Sequence, residues 1–307
     1  MIDILMATYN GGKYLREQLD SIINQTYSDW HLIIADDCSN DNTVKILEEY
    51  RSKYPKKITY YVNDKPTGGA KHNFYQLMLH ANSDYIMFSD QDDVWLANKI
   101  ETTYLTMLDA EQKYGSSIPL LVHSDLCVVN QKLEIINESI FAMQSMDYRK
   151  DKLNNLLVSN IVTGCTMMIN KSLLNMARIK PQNFVMHDIW LALIASAFGK
   201  IFFIQEPLIL YRQHGDNSVG AKDVHDFRYF MSKLFGYDEV HKALIAQYAQ
   251  AGEFLKIFDS KLTYNEKIYL KGYSELDTYD CFRRYLFLKK NRMFKITIAK
   301  KIGQLIL

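Results

Sequence analysis

Tyr85-Ile86-Met87-Phe88-Ser89-Asp90-Gln91-Asp92-Asp93-Val94-Trp95 joins four mostly apolar residues to three carboxylates within four positions. The run at 85–88 has the length and composition of a short buried strand. Three like charges do not belong inside such a strand, because desolvating each is costly unless it is paired or binds a metal. The carboxylates therefore belong just past it, at the C-terminal end, where open α/β sheets bind their ligands. Asp90 and Asp92 are two apart, so a turn can project both toward one divalent cation and a pyrophosphate. Oxygen ligands plus substrate phosphate is the usual way Mg²⁺ or Mn²⁺ is held. A solvated acidic turn is the plain alternative, and the rest of the chain decides between them.

Three more strand patterns precede this one, at 2–7, 30–35 and 58–62. Each is followed by a helical pattern, with inward faces at Leu15, Leu19, Ile22 and Ile23, at Val44, Leu47 and Tyr50, and at Phe74, Leu77, Met78 and Ala81. Asp41 or Asn42 is placed to cap the second helix. The βαβαβαβ order over the first hundred residues predicts a parallel sheet with helices on both faces. Three of these strands run into polar clusters, Thr8-Tyr9-Asn10, Asp36-Asp37 and Asp90-Gln91-Asp92. In a parallel sheet all three ends lie on one edge, which points to a single site. No G-x-G-x-x-G follows the first strand and no G-x-x-x-x-G-K-[ST] occurs. A bound nucleotide would thus rely on carboxylates and a metal in place of a glycine-rich helix terminus.

Further strands are expected over Leu120–Val129, 161–169, 201–204 and 208–211. Ser124 and Asp125 inside the first of these either face the cleft or form a satisfied polar pair at a sheet edge. Gly164 marks either a close ligand approach or a bulge. Asp188, just after His187 and ahead of an apolar helix, is either a helix cap or a general base. Arg212, His214, Asp216 and Asn217 fall in a glycine-containing loop, and the stretch at 212–225 is a candidate lid.

The 307 residues carry 48% hydrophobic and 23% charged side chains, an ordinary globular composition, with a net charge of +1. That balance excludes a dedicated nucleic-acid binder. Cys38, Cys127, Cys165 and Cys281 are far apart, so neither a zinc site nor a disulfide framework is indicated. The N-terminus lacks the basic and apolar regions of a signal peptide, and no apolar run reaches membrane-spanning length.

Together, Ala7-Thr8-Tyr9-Asn10-Gly11, Gln25-Thr26-Tyr27, Asp36-Asp37-Cys38-Ser39-Asn40-Asp41, Ser89-Asp90-Gln91-Asp92-Asp93-Val94-Trp95, His187-Asp188 and Tyr211-Arg212-Gln213-His214-Gly215-Asp216-Asn217 resemble family 2 glycosyltransferases of the GT-A fold. That fold is α/β, a Rossmann-like, mostly parallel sheet flanked by helices, here with a helical C-terminal extension. The likeness covers roughly residues 1–220, taken as the catalytic domain, with 221–307 as the helical region. Within the family the chain looks most similar to bacterial rhamnosyltransferases of cell-wall and capsular polysaccharide synthesis.

The resemblance implies roles. Thr8, Tyr9 and Asn10 would line the nucleotide, Asp36 or Asp37 would meet the base edge, and Asp90 would lie near the ribose. Asp92 would bind Mn²⁺ or Mg²⁺, and His214 would complete the metal site. Asp188 would be the catalytic base. Asp93, Trp95, Asp125, Gly164, His187 and Arg212 are candidate sugar contacts. The implied donor is a nucleotide-diphosphate sugar, dTDP-rhamnose or a UDP-sugar, and the acceptor a lipid-linked saccharide at the inner face of the cytoplasmic membrane. A nucleotide-sugar-binding subunit without catalysis is the alternative of another class, but it would have no use for a general base.

From Cys281 onward there are eight Lys or Arg and no acid. Phe287, Phe294, Ile298, Ile302 and Leu305 fall near one helical face, and Phe227, Phe230, Met231, Leu234 and Phe235 suggest another amphipathic helix. The basic face from Cys281 onward suits an anionic membrane, or else packs on the catalytic domain or a homodimer partner.

Overall fold

Ile2–Thr8 forms β1, buried almost throughout, because strands covered on both faces tolerate apolar residues at every position. β2 (Trp30–Asp36) and β4 (Tyr85–Ser89) pair with it in parallel on either side, and β3 (Ile58–Val62) adds beyond β2. The crossovers are α1 (Leu15–Ile23), α2 (Thr43–Lys53) and α3 (Ala70–His80). Register aligns Thr8 with Asp36, Asp36 with Val62, and Met6 with Ser89, so the expected convergence of strand ends is met. Asp41 Oδ1 accepts from both the Thr43 amide (2.9 Å) and hydroxyl (2.5 Å), which anchors the start of α2.

The computed structural model describes residues 1–215, 237–295, 301 and 303–305. The chain divides into two compact units, Met1–Ile140 with Val162–Arg178 and Phe198–Ala221, and Phe141–Ile161 with Ile179–Ala197 and Lys222–Leu307. After β4 the first unit continues with β5 (Val94–Trp95), α4 (Lys99–Tyr114), β6 (Leu120–Val129) and β7 (Ile135–Asn137). The short helices α5 (Ile140–Met143) and α6 (Leu153–Leu156) follow, then β8 (Met167–Asn170) and α7 (Lys171–Ala177). Next come α8 (His187–Phe198) and β9 (Lys200–Arg212). The strand order is β3-β2-β1-β4-β8-β6-β9-β5, with β7 hairpinned onto β6. β8 runs antiparallel to both β4 and β6, and β5 antiparallel to β9, so the sheet is mixed beyond its parallel half.

Two strand expectations are corrected here. Residues 201–204 and 208–211 belong to one strand, β9, whose register against β6 jumps from Ser124–Ile204 to Asp125–Pro207. Pro207 has no N–H to continue the ladder, so the strand bulges without ending. The strand expected over 161–169 begins only at Met167, because Gly164–Thr166 makes a buried 3-10 turn. There the Thr166 amide and hydroxyl both donate to the Thr163 carbonyl, at 3.0 and 2.7 Å.

The second unit packs α8 with α9 (Tyr237–Phe258), α10 (Tyr264–Ser274) and α11 (Cys281–Lys290). Trp190 lies edge-on to Phe254 at 5.4 Å, and Tyr248 edge-on to Tyr273 at 5.1 Å. A Cβ at Gly272 would lie 2.3 Å from the Phe287 ring, so only glycine lets α10 and α11 approach there. Thr263 and Glu266 form a reciprocal capping box on α10. Among the described residues no helix is long and apolar enough to cross a membrane. Phe227, Phe230, Met231, Leu234, Phe235, Ile298 and Ile302, and the part of the candidate lid from Asp216 on, lie outside the described residues.

Candidate active site

The first unit gathers the polar strand ends into one network. Asp36 is fully buried; its carboxylate accepts from the Thr8 hydroxyl (2.8 Å), the Ser39 amide (2.8 Å) and the Ser39 hydroxyl (2.6 Å). Thr8 is equally buried, so both residues hold the β1 and β2 ends together from beneath. Asp37 accepts from the Asn63 side chain Nδ2 (3.0 Å) and from the backbone and hydroxyl of Thr67 (2.7 and 2.9 Å), which binds the 63–67 loop to the end of β2.

Tyr9 and Asn10 sit above this floor and are exposed. Asn10 has φ +47°, a left-handed conformation that asparagine tolerates. Its amide donates to Ser39 Oγ (2.8 Å) and its side-chain oxygen accepts from the Asn40 amide (2.9 Å). The Gln91 side chain clamps the Tyr9 peptide: Oε1 accepts from Tyr9 N at 2.9 Å and Nε2 donates to Tyr9 O at 3.0 Å. A Cβ at Gly11 would lie 2.2 Å from Gln91 Oε1, so any larger residue there would push the clamping side chain aside. Gln91 was not singled out from the sequence, although its place between two predicted ligands is the signal that would have found it.

Asp92 Oδ2 and His214 Nε2 lie 2.8 Å apart, with side chains 14% and 7% exposed. A carboxylate oxygen and an imidazole nitrogen at this separation fit adjacent positions on one six-coordinate cation, which at bond lengths of about 2.1 Å are roughly 3 Å apart. The sequence places these residues 122 positions apart, and β9 brings them together.

Arg212 is 1% exposed and is used inside the protein. Its Nε donates to Asp92 O (2.8 Å), Nη1 to Gln131 O (2.8 Å) and Nη2 to Glu17 Oε2 (2.5 Å), and its guanidinium stacks 4.6 Å from the Tyr14 ring centroid. The backbone N–H of Arg212 donates to Asp93 Oδ1 at 3.1 Å. Arg212 is thereby placed to position Asp92, not to reach a sugar.

Asp93 is fully buried, and among the described residues Oδ2 has no hydrogen-bond partner. Burial, then the neighbouring Asp92 and Asp90, push its carboxyl well above the usual range. Ligand atoms of Asp90, Asp93 and Cys165 lie within 4.8 Å of one another. Burial, then Asp93 and Asp90, push the Cys165 thiol up, while burial pulls Lys99 down to about 8. Lys99 Nζ stands 4.7 Å over the buried Trp95 ring. With its amide turned to suit its neighbours, Gln18 donates to Asp93 O (2.6 Å) and accepts from Trp95 Nε1 (3.2 Å). Asp93 and Trp95 are therefore the packed underside of the acidic turn.

Asp125 is buried and accepts from the Leu126 amide (2.8 Å) and the Ser139 hydroxyl (2.5 Å); its side chain is satisfied, but by Ser139 and on an interior strand, where the alternative expected a pair with Ser124 at a sheet edge. Gly164 lies buried in the 3-10 turn ahead of β8. His187 and Asp188 belong to the second unit, at the start of α8. Burial pushes the His187 imidazole down to about 3, so it is neutral. Asp188 is half-buried, and Oδ1 accepts from Ile189 N at 2.7 Å. The segment before it is held by α9, whose Gln250 and Glu253 side chains accept from Val185 N (2.8 Å) and Gln182 N (3.1 Å).

Comparison with known proteins agrees with this geometry. The family model described as Glycosyl transferase family 2 matches residues 3–176. The dTDP-rhamnosyl transferase RfbG of Shigella flexneri is 33% identical over 228 residues, covering 70% of this chain and 74% of its own. The UDP-Glc:alpha-D-GlcNAc-diphosphoundecaprenol beta-1,3-glucosyltransferase WfgD of Escherichia coli is 29% identical over 177 residues, covering 57% of this chain and 62% of its own. Among solved structures, S. aureus TarS 1–349 in complex with UDP-GlcNAc has a TM-score of 0.55 at 15% identity, over 99% of this chain and 88% of that one. The mannosyltransferase PcManGT from Pyrobaculum calidifontis, in complex with GDP-Man and Mn²⁺, gives 0.55 at 16% identity, over 98% and 77%. The strand-end network, the mixed sheet and the family match together make this chain a member of glycosyltransferase family 2.

Proposed function

We propose that this glycosyltransferase moves L-rhamnose from dTDP-L-rhamnose onto a lipid-linked saccharide, with inversion and with Mn²⁺ or Mg²⁺, at the inner face of the cytoplasmic membrane. Residues 1–220 would be the catalytic domain and 221–307 a helical extension. The observation that carries the reading is the acidic turn after β4 meeting His214 at the end of β9, directly beside the Tyr9–Asn10 loop. The rhamnose assignment is supported by the likeness to RfbG.

Tyr9, Asn10 and Asp37 would take the nucleoside, with Thr8 and Asp36 beneath them. Asp90 would lie near the ribose. Asp92 and His214 would hold the cation, whose chemistry is to neutralise charge on the departing diphosphate. Arg212 keeps Asp92 in place through its backbone carbonyl. Asp188 would take the proton from the attacking acceptor hydroxyl. Attack from the face opposite the leaving group, with one base, inverts the anomeric carbon.

A UDP-hexose donor is the second reading, supported by the likeness to WfgD. Isothermal titration of dTDP-L-rhamnose, UDP-glucose and UDP-galactose, each with and without Mn²⁺, separates them. Metal-dependent binding of dTDP-L-rhamnose alone is the expected result. Preference for a UDP-sugar overturns the donor assignment, and metal-independent binding overturns the role given to Asp92 and His214.

A further inference from the structure

α11 shows an apolar stripe where a helix packed only by its own protein would show polar side chains. Phe282, Tyr285 and Leu286 are 71%, 37% and 48% exposed. They stand at i, i+3 and i+4, on one helical face. The opposite face is buried: Leu288 is inaccessible, and Arg284 donates to the carbonyls of Leu276, Tyr279 and Leu305 at 3.2–3.3 Å. Phe287, expected to lie on the amphipathic face of the tail, packs against Gly272. The structure thus moves the exposed apolar face by one residue, from Phe287 to Leu286 and its neighbours.

Cations flank the stripe, and Lys289 lies on its face with Nζ 5.7 Å over the Tyr285 ring. Arg283, Lys289, Lys290 and Arg292 are exposed. After Asp280 the chain carries eight Lys or Arg and no acid, whereas the 280 residues before carry 28 basic and 35 acidic side chains, a balance of −7. A weakly charged protein has therefore concentrated its positive charge around its exposed aromatic helix.

We propose that the Phe282–Tyr285–Leu286 face of α11 seats in the interface of an anionic lipid bilayer, with Arg283, Lys289 and Lys290 at the headgroups. An apolar stripe needs an apolar phase to enter, which phosphates of a nucleic acid do not offer. Two copies of α11 face to face would set their cations against one another. An anionic bilayer supplies both the apolar phase and the counter-charge.

The test is co-sedimentation of the full-length protein with phosphatidylcholine vesicles, with and without phosphatidylglycerol, over a range of salt. The wild type is expected to bind the anionic vesicles and to lose binding as salt rises. Lys289→Gln with Lys290→Gln should weaken binding roughly 30-fold, from about one surface charge's worth each. Phe282→Ser with Leu286→Ser should weaken it at least tenfold. Absence of wild-type binding to anionic vesicles overturns the proposal. So does unchanged binding by both double variants, or loss of self-association on sedimentation velocity with vesicle binding intact. Donor titration on the same samples keeps the two questions apart: lost donor binding with intact vesicle binding counts against the donor assignment alone.

Discussion

Gln91→Ala removes the two-bond clamp on the Tyr9 peptide, at 2.9 and 3.0 Å, and among the described residues no other hydrogen bond of that side chain. The pair is solvent-accessible, so each bond is placed at the low end, about 0.5–1 kcal/mol. The total of about 1–2 kcal/mol acts on the loop proposed to hold the nucleoside. If the loop must be ordered to bind, donor affinity falls by roughly 5- to 30-fold. Gln91→Glu is the sharper probe. Its carboxylate still accepts from Tyr9 N, but it faces Tyr9 O with no proton to donate, so it should bind donor no better than the alanine variant. The assay is calorimetric donor titration with Mn²⁺, beside a thermal melt that checks the fold. Wild-type affinity in Gln91→Ala, with an unchanged melt, would refute the claim that the clamp orders the site.

Asp188→Asn should keep donor affinity within a few-fold and abolish transfer in a product assay; substantial turnover removes Asp188 as the base. Asp92→Ala, or a chelator added to the wild type, should eliminate the metal-dependent part of donor binding, and a titration identical with and without Mn²⁺ in the wild type speaks against that pair as ligands. Arg212→Met deletes two bonds from a cation to backbone carbonyls and the stacking on Tyr14, a loss of about 3 kcal/mol, while half-exposed Glu17 adds little; an unfolding free energy lowered by less than a third of that in a denaturant titration sinks the positioning role. Burial raises the Asp3 carboxyl, but the His31 imidazole at 3.8 Å and hydrogen bonds from Ser83 and Asn82 outweigh it and hold it at about 2, below its ordinary 3.8. The stabilisation, about 2 kcal/mol, is present above pH ~4 and is lost as pH falls toward 2. Asp3→Asn should be less stable at neutral pH and lose that acid dependence, and equal acid sensitivity of the two proteins counts against the assignment.

The parallel half of the sheet was legible because its signals are local. Apolar runs at 2–7, 30–35, 58–62 and 85–88 alternate with helical periodicity, and right-handed crossovers leave one arrangement that puts the polar ends together. The antiparallel half was less legible. β9 reads as two strands because Gln205-Glu206-Pro207 interrupts its apolar pattern, and only pairing with β6 carries the backbone through. Val94 and Trp95 directly follow the carboxylates, and only pairing with β9 makes them a strand.

What the sequence determined by itself was the identity of the chemistry-bearing clusters and the edge where they meet, because strand direction and residue type suffice for both. Which carboxylates are buried and which meet a partner from another element was decided by tertiary structure. Asp36 and Asp93 are buried beneath the site while Asp92 meets His214. Gln91 became a clamp and Arg212 an internal brace, because hydrogen-bond partners far apart in sequence are brought within 3 Å only by the folded sheet. On α11 the exposed apolar face is Phe282, Tyr285 and Leu286, because Gly272 opens a space that Phe287 fills. Helical periodicity names the candidates for an apolar face, but burial depends on which of them a neighbouring helix covers.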